Sequence, residues 1–450
     1  MRRYPLFILL IPLIVAIYLS GHLRHQGPLR HQGEALIKTE STSIISLARI
    51  ADYPIERPKT WRYRVTLLPT DSTSCSGKEA YVYLLKDSLR TFPTLGDTIW
   101  MQARWQTADH PSPYAIVSRW QLRGAANAHN LSLIEHARRI RQRLIQRYRD
   151  LGISGDELAT LSALTLGYRD TLNRDIRDHF RRSGAAHILA VSGLHTGILY
   201  VILFSILTLG GLYQPLLHQN VQRWALHLSL ILILWAYAFL TGMSASVVRS
   251  VTMFTILNIG LLLRRQAFSI NTLAAAAIIL LLFRPEDLYN VGFWLSFSAV
   301  AALILLAPHV KGYFSGLVVA SIAAQLGTLP ITLYCFGQIS HYFLLTNLFI
   351  IPLVTGVFYL AIALLTFGFV PGLGTLLAWL TTLLLRIIHW IVAFIATLPF
   401  ATTTMHCTLP MMLLLYAAII TGALAIRRSL YWLILTATAL TLFCILYTFA

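Results

Sequence analysis

Residues that could contact a charged substrate lie in four polar islands within an otherwise apolar C-terminal region. The islands are HILAVSGLHTG (187–197), TGMSASVVR (241–249), RPEDLYNVGFWLSFSAV (284–300) and the stretch from AQLGTLPITLYCFGQIS to TNLFIIP (324–352). Polar groups at membrane depth are costly, so they usually face a cavity or a partner helix. The candidate path residues are His187, Ser192, His195, Ser244, Arg249, Asn290, Ser296, Gln325, Pro330 and Asn347.

Each island also has a purely structural interpretation, which the sequence leaves open. Gly193 and Gly197 have the small-xxx-small spacing that allows helices to approach closely, so the neighbouring histidines could belong to a packing seam. Arg249 could extend its head group to the membrane interface, and Asn290 could cap a helix. Proline kinks such as the one at Pro330 occur in inert bundles too. Paired Pro/Gly-interrupted spans, by contrast, favour a substrate path near the midplane.

The residues needed for several kinds of catalysis do not occur in this sequence. It contains no G-x-x-x-x-G-K-[ST] phosphate loop, no H-E-x-x-H and no G-x-S-x-G. Residues 186–450 contain only two carboxylates, Glu286 and Asp287, whereas a two-metal nuclease needs several acidic ligands. We therefore expect no catalytic residues, no metal site and no cofactor, and we expect a pathway rather than an enzyme.

Charge is distributed unevenly along the 450 residues. Residues 1–185 carry 27 Lys/Arg and 16 Asp/Glu, whereas residues 186–450 carry 9 and 2. The net charge of +18 is compatible with a nucleic-acid partner or with the positive-inside rule alone. The sequence predicts an anchor at 1–23, a β domain at 34–126, basic amphipathic helices at the membrane surface at 128–185 and a transmembrane domain at 186–450.

Apolar runs predict eleven spans in a polytopic α-helical membrane protein. Basic loop residues at Arg223, Arg264 and Lys311 place the N-terminus in the cytoplasm and the β domain outside the inner membrane. The predicted spans are 4–20, 187–212, 222–241, 246–263, 268–283, 291–307, 314–335, 342–368, 374–397, 411–426 and 429–449.

The N-terminal part carries two candidate DNA-binding surfaces. Residues 34–126 alternate apolar and polar side chains with period two, which predicts a barrel of about five strands with Trp61 and Tyr63 as candidate stacking residues. Residues 131–149 form a basic helix, for which we weigh binding to anionic lipid headgroups against binding to a phosphate backbone. Its arginines are Arg138, Arg139, Arg141, Arg143, Arg147 and Arg149.

The four islands, in this order, resemble the competence domain of the ComEC family of DNA-uptake channels. The resemblance covers roughly residues 155–355, and HILAVSGLH is its most specific part. Residues 34–126 resemble, by position and β pattern, the OB-fold domain of that family. Gly167 is followed by Tyr168 where many members have an acidic residue. The sequence stops at Ala450 without the metallo-β-lactamase-like domain of longer members, as in a short form.

The resemblance implies an inner-membrane channel for single-stranded DNA in natural transformation. It implies a DNA receptor outside, a helicase, translocase or single-strand-binding protein inside, contact with membrane lipid, a nuclease supplied by another protein, and possible oligomers. Two other classes stay open. One is a secondary transporter or exporter of a small or lipid-linked substrate, which the shortage of membrane carboxylates disfavours. The other is a structural subunit whose β domain docks partners.

Overall fold

The computed structural model divides into two compact units. The β unit comprises Leu19–Arg147 and Phe239–Gly242, and the helical unit comprises Met1–Tyr18, Tyr148–Ala238 and Met243–Ala450. The residues that the structure describes are 10, 12–18, 44–56, 60–68, 79–85, 93–106, 114–124, 132–208, 220–264, 269–307, 312–405 and 407–428.

Five strands of the β unit close into a barrel. The order is β1-β5-β6-β4-β3, β3 pairs back onto β1, and β2 extends the sheet beside β3. The pairing of β4 with β6 is parallel, and the other pairings are antiparallel. The strands are β1 (Ile44–Ile50), β2 (Ile55–Glu56), β3 (Thr60–Leu67), β4 (Glu79–Leu85), β5 (Thr98–Gln106) and β6 (Tyr114–Gly124).

The predicted period-two pattern is confirmed in the barrel core. Tyr63, Val65 and Leu67 of β3 are buried inside, and Arg62 and Arg64 between them are only half-buried. Alternate side chains of a strand point to opposite faces, so one face fills the core. Burial, together with the negative charge of Asp97, raises the pKa of the Tyr63 phenol to about 12.

Helix α1 (Leu133–Asp150) packs on the barrel through buried charges. The Nη2 atom of Arg141 donates to both carboxylate oxygens of Asp52 at 3.1 and 3.2 Å, and Arg138 donates to the Ala51 carbonyl. Two apolar side chains of the helix, Leu133 and Ile140, are exposed. Paired arginines therefore form the inner face of this helix along the barrel.

Within the described residues, the helical unit contains helical residues 12–18, eleven further helices, a 3-10 turn and a short β ribbon. The ribbon pairs β7 (Gln338–Ser340) with β8 (Thr402–Thr404), and the turn is Pro285–Tyr289. The helices are α2 (Gly155–Leu166), α3 (Arg174–Arg182), α4 (Gly193–Leu207), α5 (Asn220–Leu240), α6 (Ala245–Leu262), α7 (Ile270–Phe283), α8 (Val291–Leu306), α9 (Tyr313–Phe336), α10 (Phe343–Phe367), α11 (Leu373–Thr397) and α12 (Leu409–Arg428).

Nine of the described helices match predicted spans. Five are long and apolar enough to cross a membrane, namely Val221–Leu240, Ala245–Leu262, Tyr313–Phe336, Phe343–Phe367 and Leu373–Thr397. Four apolar helices are shorter: Gly193–Leu207, Ile270–Phe283, Val291–Leu306 and Leu409–Gly422. The span predicted at 429–449 and much of the anchor at 4–20 lie outside the described residues. The structure thus supports several spans without establishing eleven.

Two elements differ from the sequence prediction. The first island is not wholly helical, because α4 begins at Gly193 and residues 184–192 precede it in turns and extended backbone. Helix α2, expected at the membrane surface, is buried from Leu158 to Leu166. Its small and apolar residues surround the whole helix, which is the pattern of a buried element. Glu157 at its start accepts a hydrogen bond of 2.9 Å from Arg386 of α11.

Five helices of the helical unit form a closed ring. Helix α4 contacts α6, α6 contacts α8, α8 contacts α9, α9 contacts α10, and α10 contacts α4 again. Within the described residues, the backbones of helices on opposite sides of this ring do not approach one another closely, although Phe358 of α10 belongs to one buried apolar cluster with Val247 and Val251 of α6. With neighbouring axes about 8–10 Å apart, each axis of a five-membered ring lies about 7–9 Å from the centre. Side chains rather than backbones therefore face the centre.

The tightest contact in the ring joins α8 to α9 at Gly327. A methyl carbon built on Gly327 would lie 2.5 Å from the Cβ of Ala302 and 2.6 Å from the carbonyl oxygen of Ser298. The hydroxyl of Tyr416 on α12 donates to the Gly327 carbonyl at 2.9 Å. This carbonyl lies one turn before Pro330, where a helix loses regular backbone bonds. Glycine is therefore required here by the approach of the next helix.

We expect Gly327→Ala to destabilise the helical unit by about 1–3 kcal/mol, because the added methyl overpacks the α8–α9 contact. The measurement is thermal unfolding of the purified full-length protein in detergent. Gly316→Ala on the same helix is the matched control, since a methyl there meets no atom within 4 Å. Equal midpoints for the two variants would show that the α8–α9 contact is not tight.

Candidate functional site: a ring of polar islands

The first and second islands meet where α4 and α6 run parallel. A methyl on Gly193 would lie 3.4 Å from the Ser250 hydroxyl. Further along both helices, the Tyr200 hydroxyl donates to Asn258 at 3.3 Å. From the first contact to the second, the residue number increases on both helices, so the two helices run parallel. The N-termini of α4 and α6 therefore lie at the same end of the helical unit.

The second and third islands meet at Arg249. A methyl on Gly292, the second residue of α8, would lie 3.2 Å from the Nη2 of Arg249 and 3.1 Å from the Oδ1 of Asn290. Asn290 caps α8, since its Oδ1 accepts the Gly292 N–H at 2.9 Å. Ser296 lies one turn further on the same face of α8 and is half-buried. Arg249 thus points at the N-terminus of a neighbouring helix.

The fourth island contacts the segment immediately before the first. The Thr346 hydroxyl of α10 donates to the Ser183 carbonyl at 2.7 Å, and the Ser340 hydroxyl donates to the Arg182 carbonyl at 3.1 Å. Gly184 adopts φ +86°, and a methyl there would lie 2.9 Å from the Ser340 hydroxyl oxygen. Because Gly327 joins the third island to the fourth, the four islands form a closed circuit of contacts together with residues 182–184 before the first island and Ser250 after the second.

The predicted histidines of the first island adopt different environments. His195 is fully buried, 5.8 Å from the Phe358 ring, and its Nδ1 accepts the Ser192 N–H at 3.2 Å. In the neutral ring the proton therefore lies on Nε2, which has no partner among the described residues. His187 lies within electrostatic range of His195, and its side chain is solvent-accessible. The structure thus brings His187, Ser192 and His195 together.

Several buried polar atoms of these islands have no hydrogen-bond partner among the described residues. In the described part of the ring helices and the 3-10 turn, they are the Nε2 of His195, the Nε and Nη1 of Arg249, the Oδ2 of Asp287 and the Oδ1 of Asn347. Outside the ring, Ser162, Gln222 and Arg223 also have such atoms. Most buried polar groups in proteins are hydrogen-bonded, so a cluster of unpaired ones indicates water or a polar ligand.

The remaining predicted path residues are less closely connected. Ser244 precedes α6 and is half-buried, as is Gln325, whereas Pro330 is buried within α9. In the described part of the chain, no hydrogen bond joins the side chain of Ser296 or Gln325 to the other path residues. The assignment of all ten residues to a path stays a prediction.

Helix direction adds an electrostatic feature that the sequence analysis missed. Short connections make consecutive helices from α5 onward antiparallel, so α6, α8 and α10 all begin at the end of the unit where α4 begins. A helix N-terminus carries roughly half a positive charge. Four such termini therefore favour an anion at this end. The sequence contains a signal for this arrangement, because two crossings separate the successive starts of the predicted spans 187–212, 246–263, 291–307 and 342–368. An even number of crossings returns the chain to the same side of the membrane.

The DNA-binding residues predicted on the β unit require correction. Tyr63 is fully buried in the barrel core and Trp61 packs against it, so Tyr63 presents no face to a nucleobase. Arg138 and Arg141 are 9% and 6% exposed, because they pair with Asp52. Of the other predicted arginines, Arg143 and Arg149 are exposed, and Arg139 and Arg147 are half-buried.

The outer face of the barrel carries aromatic and arginine side chains in contact. The guanidinium carbons of Arg62 and Arg64 lie 5.0 and 5.6 Å from the centre of the Tyr81 ring. The guanidinium carbon of Arg123 lies 5.2 Å from the Trp100 ring. Period two places Tyr81 on this face, since it alternates with the buried Val82. These groups form two cation–π clusters on the described surface.

The fold and the ring define a multi-pass membrane protein that carries a small β barrel. The family described as "Competence protein" matches residues 164–429, which includes all four islands. The chain therefore belongs to the competence protein family. No solved structure matches it.

Three curated relatives share part of this chain. ComE operon protein 3 of Bacillus subtilis strain 168 is 34% identical over 203 residues, 44% of this chain and 25% of the relative. Competence protein ComA of Neisseria gonorrhoeae is 31% identical over 168 residues, 36% and 24% of the two chains. Recombination protein 2 of Haemophilus influenzae is 25% identical over 235 residues, 49% and 29%. The matched part thus spans about a quarter of each relative's length.

We expect Arg141→Gln to destabilise the β unit by about 3 kcal/mol, because it leaves Asp52 buried without its closest charged partner. Thermal unfolding of the purified full-length protein measures the change. Arg143→Gln, two residues away and exposed, is the matched control and should leave the midpoint within measurement error. If the two variants unfold at the same temperature, the buried ion pair does not stabilise the barrel.

Proposed function

We propose that this chain is an inner-membrane channel that passes single-stranded DNA into the cytoplasm during natural transformation. The observation that carries the proposal is the closed circuit of contacts that the four polar islands and their adjoining residues form on a ring of helices, with buried polar atoms that lack partners among the described residues. Relatives named for competence and recombination support a DNA substrate. A ring centre lined by side chains offers a route that a packed helix pair does not.

The charge distribution supports one orientation in the membrane. Arg223 at the start of α5 and Arg264 after α6 lie at the end opposite the islands, and basic residues favour the cytoplasm. The islands then face the exterior, and the N-terminus is cytoplasmic. In this orientation the four helix N-termini meet the incoming polyanion first, so the helix dipoles favour its entry.

The β unit suits capture of the strand outside the membrane. Its strand order, with β4 parallel to β6 in a closed five-stranded barrel, supports the OB-type fold expected from the sequence. OB-type barrels hold single strands by stacking bases on aromatic rings and by basic flanks. Tyr81 with Arg62 and Arg64, and Trp100 with Arg123, supply both elements.

Other proteins complete the proposed process. The sequence contains no phosphate loop, so a cytoplasmic helicase, translocase or single-strand-binding protein supplies the driving force. A DNA receptor delivers the strand outside, and a separate nuclease degrades its complement. Membrane lipid surrounds the apolar helices. Several copies of the chain could assemble around one uptake site.

Two substitutions of His195 separate a path role from a structural role. Asparagine keeps an acceptor near the position of Nδ1 but lacks the Nε2 donor. Glutamine reaches the position of Nε2 with its amide group but loses the contact with Ser192. We expect His195→Asn to lower transformation at least tenfold at normal protein levels and His195→Gln to retain most of it. Entry of labelled DNA into the cytoplasm is measured alongside. Normal entry in both variants would count against the conduit.

We expect Tyr81→Ala to weaken binding of a single-stranded oligonucleotide to the purified full-length protein by about 1–3 kcal/mol, the usual contribution of one stacked base. Tyr81→Phe is the matched control, since it keeps the ring and removes only the hydroxyl that accepts from Arg64 at 3.2 Å. Fluorescence anisotropy at two salt concentrations measures the affinity. Unchanged binding in Tyr81→Ala would exclude this cluster as a stacking platform.

A further inference from the structure

Arg249 and Asp287 are oppositely charged, buried and not joined. Each residue is 5% exposed, and the carboxylate of Asp287 lies within electrostatic range of the guanidinium. No ion pair forms between them within 4 Å in the described structure. The Nε and Nη1 of Arg249 and the Oδ2 of Asp287 have no hydrogen-bond partner there. Because these two buried charged groups do not pair with each other, their unpaired atoms indicate that a third group binds beside them.

The guanidinium of Arg249 and the N-terminus of α8 together favour an anion, which the carboxylate of Asp287 repels. Arg249 points at the N-terminus of α8, where a cation is electrostatically unfavourable and an anion is stabilised. A guanidinium is a donor only, so its unpaired N–H groups require an acceptor. Asn290 is exposed, and its Oδ1 already accepts from Gly292, so its amide nitrogen can donate to the same ligand. Phosphate oxygens are strong acceptors for a guanidinium.

We propose that Arg249 and Asn290 form a transient seat for one phosphodiester of the passing strand, and that the neighbouring Asp287 keeps its occupancy short. This inference rests on the proposed function and specifies how the path recognises its cargo. The ligand class is the phosphodiester backbone, not the bases. The seat lies at the end of the ring where α4, α6, α8 and α10 begin.

Asp287 matters because a moving polymer must leave each site that it enters. Conduction requires binding that is favourable enough for entry and weak enough for release. Within a protein the effective dielectric constant is about 20, so a carboxylate close to a phosphate repels it measurably. When the phosphate leaves, the negative charge of Asp287 offsets the positive charge of the freed guanidinium. The pair thus lets the strand advance by one phosphate at a time.

The first test substitutes the carboxylate. The full-length protein in lipid nanodiscs is unfolded thermally with inorganic phosphate or chloride at matched ionic strength, since a ligand of the native state raises the midpoint. We expect Asp287→Asn to lower the apparent Kd for phosphate about tenfold and to slow entry of labelled DNA into cells. Glu286→Gln is the matched control, because it removes the same charge one residue earlier from an exposed side chain and should change neither.

The second test substitutes the guanidinium. Arg249→Gln should abolish stabilisation by phosphate, and Arg249→Lys should retain only part of it because an ammonium lacks the planar fork. Arg284→Gln removes an exposed positive charge near the same site and should reduce the stabilisation only slightly. If Arg249→Gln and Arg284→Gln respond equally, net charge rather than a seat explains the effect, and the proposal fails.

The two readouts distinguish the seat from the channel. Phosphate could stabilise the protein through Arg249 while deletion of the gene leaves DNA entry unchanged. That result would overturn the proposed function and keep an anion site. DNA entry that requires the chain but tolerates Arg249→Gln and Asp287→Asn would overturn the seat and keep the function. If Asp287→Asn does not fold, the Arg249 series decides alone.

Discussion

The helical unit is governed by one constraint: hydrocarbon offers no hydrogen bonds, so polar groups within the unit must find partners in the protein. Many do so locally, as Thr346 does with the carbonyl of Tyr342. Others join separate elements, as Tyr416 joins α12 to the open carbonyl of Gly327. The groups that remain unpaired on the ring helices belong to the islands. In the proposed channel, the passing strand would supply partners to these groups.

The same constraint decides what could be predicted from the sequence. Spans such as 246–263 and 374–397 were placed within about two residues, because lipid demands long apolar runs that no other element produces. The first island was predicted as helix from residue 187, yet α4 begins at Gly193. Its apolar residues satisfy the periodicity of a helix, but the contacts of Gly184 and Ser183 with α10 hold the chain in another conformation. Such contacts between distant segments have no local signature.

The basic helix α1 shows the opposite limit. The candidate residues of this helix are all arginines, so residue type alone does not show which of them face a partner. Asp52, some ninety positions earlier in the chain, selects Arg141 for a buried pair, while Arg143 remains exposed. Likewise Tyr63 and Tyr81 have the same side chain, and only strand register assigns one to the core and the other to the surface. The candidate surface could therefore be predicted as a region but not residue by residue.

In the proposed function, the β unit and the helical unit have different parts in DNA uptake. Arginine–aromatic clusters on the barrel combine stacking with backbone charge, the combination that gives single-strand binding its affinity and its salt dependence. The ring offers a single buried guanidinium, Arg249, with a carboxylate beside it. We therefore expect the ring to bind the strand much more weakly than the barrel does. Strong binding along the whole ring would trap the strand instead of passing it. A weak path needs an external pull, because helix dipoles at its entrance attract a phosphate but cannot expel it at the far end.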